Sequence, residues 1–146
     1  NMQGTFAGCS SLTEAPDIPN GVTNMQATFD ECSSLKKSPI IPNTVINMYG
    51  TFRNCTSLIT ASSIPSSVEI IIGTFEGCSN LQGELEINSS ANGTQLGADF
   101  ANRKDYNRCL LNATTEGEIS LKLTGNCIML QEIIDEANNT NITLMH

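Results

Sequence analysis

Tryptophan is absent from this 146-residue chain, tyrosine occurs twice, histidine once, and only 15% of the residues are charged. Each shortage removes a class of function. With Tyr49 and Tyr106 alone, a stacking platform for sugars is poorly provided for. The single histidine, His146, is the last residue, so a Ser-His-Asp or Cys-His nucleophile would have to rest on a frayed end. Lys and Arg number 7 against 15 Asp and Glu, a net charge of −8, and Lys36-Lys37 and Arg103-Lys104 are the only basic clusters. Nucleic acid and anionic membrane surfaces are repelled rather than recruited. No apolar run approaches the roughly 18 residues a membrane span requires, since runs such as Ile70-Ile71-Ile72 are strand-sized. No membrane insertion is expected. No Cys-x-x-Cys and no histidine pair supplies a tetrahedral metal set, and neither metal nor other cofactor is expected. Prolines between Leu12 and Pro65 deny a long helix there.

What fills the gap is Asn, Ser and Thr, a composition that suits an extracellular β-rich protein better than a cytosolic enzyme. The length is one domain's worth. Within it, Thr28-Phe29-Asp30-Glu31-Cys32-Ser33-Ser34-Leu35 has close copies at Thr5 to Leu12, Thr51 to Leu58 and Thr74 to Leu81. Phe6, Phe29, Phe52 and Phe75 are 23 apart (29 − 6, 52 − 29, 75 − 52), and so are Cys9, Cys32, Cys55 and Cys78 and Leu12, Leu35, Leu58 and Leu81. A fixed period in that range predicts a repeat solenoid, each copy burying its apolar face on the next. The burial one copy achieves falls short of its ordering entropy, so a single copy does not fold alone.

Within a unit the spacing predicts a strand over Leu12 to Ile18, a turn at Pro19-Asn20-Gly21, an extended piece over Val22 to Met25, and a tight or helical turn over Thr28 to Cys32. Thr28 is expected to cap that turn, its hydroxyl accepting from a backbone amide. Four cysteines in one register would stack about 4.8 Å apart, wider than a disulfide's Cβ atoms tolerate, which predicts free, buried thiols. Cys109 and Cys127 stand outside the ladder and are open to pairing. Cysteine usage does not identify the redox compartment.

The pattern Leu-x-x-Ala-Pro-x-Ile-Pro-x-x-Val-Thr-x-Met-x-x-Thr-Phe-x-x-Cys-x-x-Leu, running from Asn1 to about Leu81, resembles the 23-residue BspA-like (Treponema-type) leucine-rich repeat of bacterial surface proteins. Thr in place of the usual Ala before Phe, and an Ala-Pro step that shifts the strand by a residue, are departures. The resemblance implies a leucine-rich-repeat-like right-handed superhelix with a parallel β-sheet, on a secreted or cell-surface protein that binds other macromolecules. It brings no catalytic motif.

Past Leu81 the period breaks. Glu84 to Ile87, Ile119 to Leu123 and Ile142 to Leu144 alternate as strands. Leu96 to Leu111 and Cys127 to Ala137 have helical spacing, with Ile128, Leu130, Ile133, Ile134 and Ala137 opposite Gln131, Glu132, Asp135 and Glu136. Residues 1–82 therefore read as β-rich repeat coils, and 83–146 as longer strand-helix units capping the same solenoid in one continuous domain. A separate α/β domain is the alternative. Asn1-Met2 aligns with Asn24-Met25 and Asn47-Met48 inside a unit, so residue 1 is expected to be a cut, leaving room upstream for a secretion signal and further repeats.

No residue set points to catalysis. Glu84 and Glu86 share a strand face as a glycosidase pair would, but flank inward Leu85 and Ile87 as ordinary exposed carboxylates do. Six Asn-x-Ser/Thr sequons, among them Asn54 and Asn88, exceed chance only slightly. The informative surface is the strand face, with Thr13, Glu14 and Asp17 from one coil, Lys36, Lys37 and Ile40 from the next, Ile59, Thr60 and Ser63 from the third, and Gln82 and Glu84 beyond. It lacks Tyr, Trp and Arg anchors, and exposed Ile40 and Ile59 argue for docking. The expected function is a non-enzymatic binding or adhesion module for a protein or host-surface macromolecule. A passive spacer or stalk, or an accessory region of a secreted hydrolase, are the alternatives.

Overall fold

The computed structural model describes residues 1–88, 119–123 and 142–145. The helices expected at 96–111 and 127–137, the Cys109 and Cys127 thiols and His146 lie outside the described residues. Residues 1–23, 24–46, 47–69 and the described part of 70–92 form four coils, termed one to four, each laid against the next.

On one side of the coils the contact is a ladder of main-chain bonds. Met2, Gly4, Phe6 and Gly8 donate their N–H groups to the carbonyls of Asn24, Gln26, Thr28 and Asp30 at 2.7 to 2.9 Å. The same four rungs recur from Met25, Ala27, Phe29 and Glu31 to coil three, and from Met48, Gly50, Phe52 and Asn54 to coil four. Between the rungs the chain closes three-residue turns such as Thr28 N–H to Met25 carbonyl and Cys32 N–H to Phe29 carbonyl. Such close turning demands left-handed backbone at two register positions. One column is Gly4, Ala27, Gly50 and Gly73, the other Gly8, Glu31, Asn54 and Gly77, and all eight residues have positive φ. Glycine takes that conformation without penalty, whereas a Cβ is strained there.

Side chains along the same register make the core. Phe6, Phe29, Phe52 and Phe75 stack with centroids 5.3 to 5.5 Å apart and planes within 7° of parallel. Met25, Met48 and Ile71, then Cys32, Cys55 and Cys78, and Leu35, Leu58 and Leu81 are buried beside them in one continuous cluster that also holds Val22, Val45 and Val68.

Across the core lies a second row of inter-coil bonds. Lys36 donates to Thr13, Ile59 to Lys36 and Gln82 to Ile59, all main chain, with a parallel bridge between Lys37 and Thr60. The strand expected over Leu12 to Ile18 is not one. Pro16 and Pro39 occupy the same register position and carry no N–H, as do Pro19, Pro42 and Pro65 three residues on, so the row is broken into isolated bridges. In coil four those positions hold Leu85 and Asn88, and there a full strand forms, β1 (Gly83–Ile87). Ile87 bridges Ile64 in parallel. The 23-residue register thus outlasts Leu81, where alternation alone suggested a break, and reaches Ile87.

β1 pairs in parallel with β2 (Ile119–Leu123), and β2 with β3 (Ile142–Met145), in the order β1-β2-β3. Ile119 faces Ile142, so the offset between β2 and β3 is again 23 (142 − 119). Parallel neighbours require a crossover connection rather than a hairpin. In β1 the side chains alternate, Leu85 and Ile87 buried, Glu84 exposed and Glu86 half-buried.

Candidate binding face

The row of bridges places the face. Because Thr13, Lys36, Ile59 and Gln82 are joined main chain to main chain, their side chains form one column on consecutive coils. Lys37 and Thr60 make a second, and Asp17, Ile40 and Ser63 share a third register position. All eleven residues of the face, Thr13, Glu14, Asp17, Lys36, Lys37, Ile40, Ile59, Thr60, Ser63, Gln82 and Glu84, are exposed. Of its two isoleucines, Ile40 is 83% exposed and Ile59 41%. Neighbouring Ile41 is buried, which is why Ile40 is turned out: adjacent residues on extended backbone point to opposite sides.

Charge on this face is graded. Glu14 and Asp17 stand on coil one, Lys36 and Lys37 on coil two, no charge among the named residues of coil three, and Glu84 on β1. Among the described residues neither lysine joins an ion pair, the two pairs present being Arg53 with Asp30 and Lys122 with Glu86.

One exposed apolar residue escapes the sequence pattern. Ile46, 42% exposed, takes a bond from Glu69 and gives one to Thr23, and so sits on a different row from Ile40 and Ile59. Its register partners are polar, so nothing in the periodicity marks it as apolar and outward. A second missed feature is the column Asp30, Arg53 and Glu76. Arg53 donates from Nε to Asp30 Oδ1 at 3.0 Å and from Nη2 to Oδ2, a bidentate pair. The bond to Asp30 holds the guanidinium pKa above its ordinary value against the opposing effect of burial, and the Glu76 charge adds to it.

The buried polar side chains are committed to structure. Thr28, Thr51 and Thr74 donate their hydroxyls at 2.9 Å to the carbonyls of Met2, Met25 and Met48 on the preceding coil. This corrects the capping role: the hydroxyl donates between coils, and so accounts for Thr where the resembled repeat has Ala. Cys32, Cys55 and Cys78 do the same to Phe6, Phe29 and Phe52, at 3.0 to 3.1 Å. Burial pushes the Cys32 thiol up to about 11 and the Cys78 thiol up to about 12, and raises Cys55 as well. All four described cysteines are free, and only Cys9 is exposed. Low-pKa thiolates are the nucleophiles, and these three buried groups are shifted the other way.

Among the described residues no group of three His, Cys, Asp or Glu is placed to hold a metal ion, and no helix is long and apolar enough to cross a membrane. Compared with known proteins, the chain matches no family model, no curated protein and no solved structure.

Proposed function

We propose that the chain is a non-enzymatic binding module built as a right-handed solenoid of the leucine-rich-repeat type, with residues 83–146 capping the same stack. It belongs on a secreted or cell-surface protein, and its partner is a protein or other macromolecule of a host surface. The observation that carries this reading is the exposed row Thr13–Lys36–Ile59–Gln82, with Lys37 and outward Ile40 beside it and neither lysine ion-paired among the described residues. Rigid main-chain rungs hold those side chains at fixed spacing, so a partner meets them with little ordering cost. An acidic, partly apolar surface fits them best.

The combined variant Lys36→Ala, Lys37→Ala, Ile40→Ala and Ile59→Ala tests the face. Binding to host cells, read by flow cytometry of the labelled protein, should drop at least tenfold while the melting temperature stays within a few degrees. Undiminished binding by the folded variant would discard this surface. A wild-type protein that binds nothing would favour the spacer.

A further inference from the structure

One turn recurs in coils one to three with different residues at its tip. Val22, Val45 and Val68 each donate their N–H to the carbonyl of the proline three residues back, Pro19, Pro42 and Pro65, at 3.1 to 3.3 Å. The pairs enclosed are Asn20-Gly21, Asn43-Thr44 and Ser66-Ser67. Of the three second members only Gly21 has a positive φ, 96°, the type II turn conformation that glycine adopts without strain. Asn20 and Gly21 are both exposed, and beyond their chain neighbours nothing lies within 4 Å of where a Gly21 Cβ would stand. A single hydroxyl from coil two holds the turn. Thr44 Oγ1 accepts the Gly21 N–H at 3.2 Å and donates to the Val22 carbonyl at 2.8 Å.

We propose that Asn20-Gly21 is a site of self-modification, deamidation through a cyclic imide, and that the Thr44 hydroxyl restrains it. Solvent base removes the Gly21 N–H proton, the nitrogen forms a bond to Asn20 Cγ, and the Cγ–Nδ2 bond breaks as ammonia leaves with a proton from solvent. Water then adds to one of the two imide carbonyls. Opening at Cγ yields aspartate, and opening at the main-chain carbonyl yields isoaspartate. Glycine presents the least hindered nitrogen for this attack, whereas behind Asn43 the nitrogen belongs to Thr44, with its branched Cβ. Attack also needs the nitrogen and Cγ brought into line. While its N–H is tied to Thr44, Gly21 is held out of that approach, and loss of an ordinary hydrogen bond shifts such a balance several-fold. Either product adds a carboxylate to the coil that carries Glu14 and Asp17, and isoaspartate lengthens the main chain within the turn that Thr44 spans. The inference rests on this turn alone and stands whether or not the Lys36 face binds anything.

The test follows the intact protein in mildly alkaline buffer made with heavy-oxygen water, so that conversion during later digestion goes unlabelled, and maps label uptake by mass spectrometry. Asn20 should convert at least tenfold faster than Asn43, yet at least threefold slower than in a peptide copying residues 16–25. Thr44→Val keeps the branched shape without the hydroxyl and should speed Asn20 at least threefold. Thr44→Ser restores a hydroxyl of the kind Ser67 uses to reach the Val45 carbonyl, and should return the rate to that of the unaltered protein, which a general loosening of the fold would not do. Equal rates at Asn20 and Asn43 would overturn the site. An unchanged rate in Thr44→Val, or no recovery in Thr44→Ser, would overturn the restraint.

Discussion

Coil one and coils two to four carry the same Thr, Phe, Cys and Leu in the same order, yet the same side chains do different things. Phe29, Phe52 and Phe75 are almost fully buried while Phe6 is half-covered. Cys32, Cys55 and Cys78 are sealed and Cys9 is open. Thr28 and Thr51 bind across a coil boundary, and Thr5 binds within its own coil. Burial here is a property of having a coil on each side, not of the residue. Stability in such an array resides largely in the interfaces between neighbours.

Deleting the aromatic ring at an interior and at the outer position should expose that difference most plainly. Phe52 is stacked on both faces, so Phe52→Ala leaves a cavity and should lower the unfolding free energy by about 3–5 kcal/mol. Phe6 has one stacked neighbour, and Phe6→Ala should lose less than half as much, roughly 1–2 kcal/mol. Urea unfolding followed by circular dichroism measures both, and equal losses would erase the distinction between end and interior.

The hydroxyl ladder gives a smaller contrast of the same form. Thr51→Val keeps the shape but removes the donor to the Met25 carbonyl in a fully buried site, and should cost about 1–2 kcal/mol. Thr5→Val, at an exposed position, should stay within about 0.5 kcal/mol. The thiols sharpen the comparison through pH. An unfolded thiol loses its proton near pH 9.0, while folded Cys32 holds it to about 11 and Cys78 to about 12. Between those limits the unfolded state binds fewer protons, so stability is full below pH 9 and falls as pH rises toward 11 and beyond. Replacing Cys32, Cys55 and Cys78 together by alanine should flatten that decline in the melting temperature.

How much of this was legible follows from what periodicity encodes. Phe, Cys and Leu hold register because they are buried against their own copies, so the repeat and its buried column could be read directly. The break after Leu81 was read from the alternation of Glu84 to Ile87, while the 23-residue register runs on to Ile87, because the positions equivalent to the repeat's prolines change. Losing them at Leu85 and Asn88 is what lets β1 form. The role of Thr28 was misjudged because a hydroxyl before a turn is ambiguous: a cap accepts from its own segment, whereas an inter-coil tie donates to the preceding coil, and composition does not separate them. On the candidate face the outward positions followed from the inward ones. Ile46 did not, because an isolated exposed isoleucine among polar register partners leaves no periodic trace.

The left-handed columns yield the smallest effect and the one whose sign is least obvious. Gly4, Gly50 and Gly73 share their column with Ala27, whose φ is 51°. Removing the alanine methyl relieves a steric strain of roughly 1–2 kcal/mol, but the more flexible glycine raises the entropy of the unfolded chain, offsetting about 0.4–1 kcal/mol. The first effect is the larger, so Ala27→Gly should stabilise by about 0.5–1 kcal/mol. Gly50→Ala reverses both terms at a neighbouring coil and should destabilise by a similar amount, its new Cβ meeting nothing nearer than the Arg53 Cβ at 3.8 Å. Because that contact is at ordinary van der Waals distance, any change in the urea midpoint reports backbone strain rather than crowding. A stabilising Gly50→Ala would mean that the column tolerates side chains, and that the three-residue turns rather than the left-handed residues set the pitch of the coils.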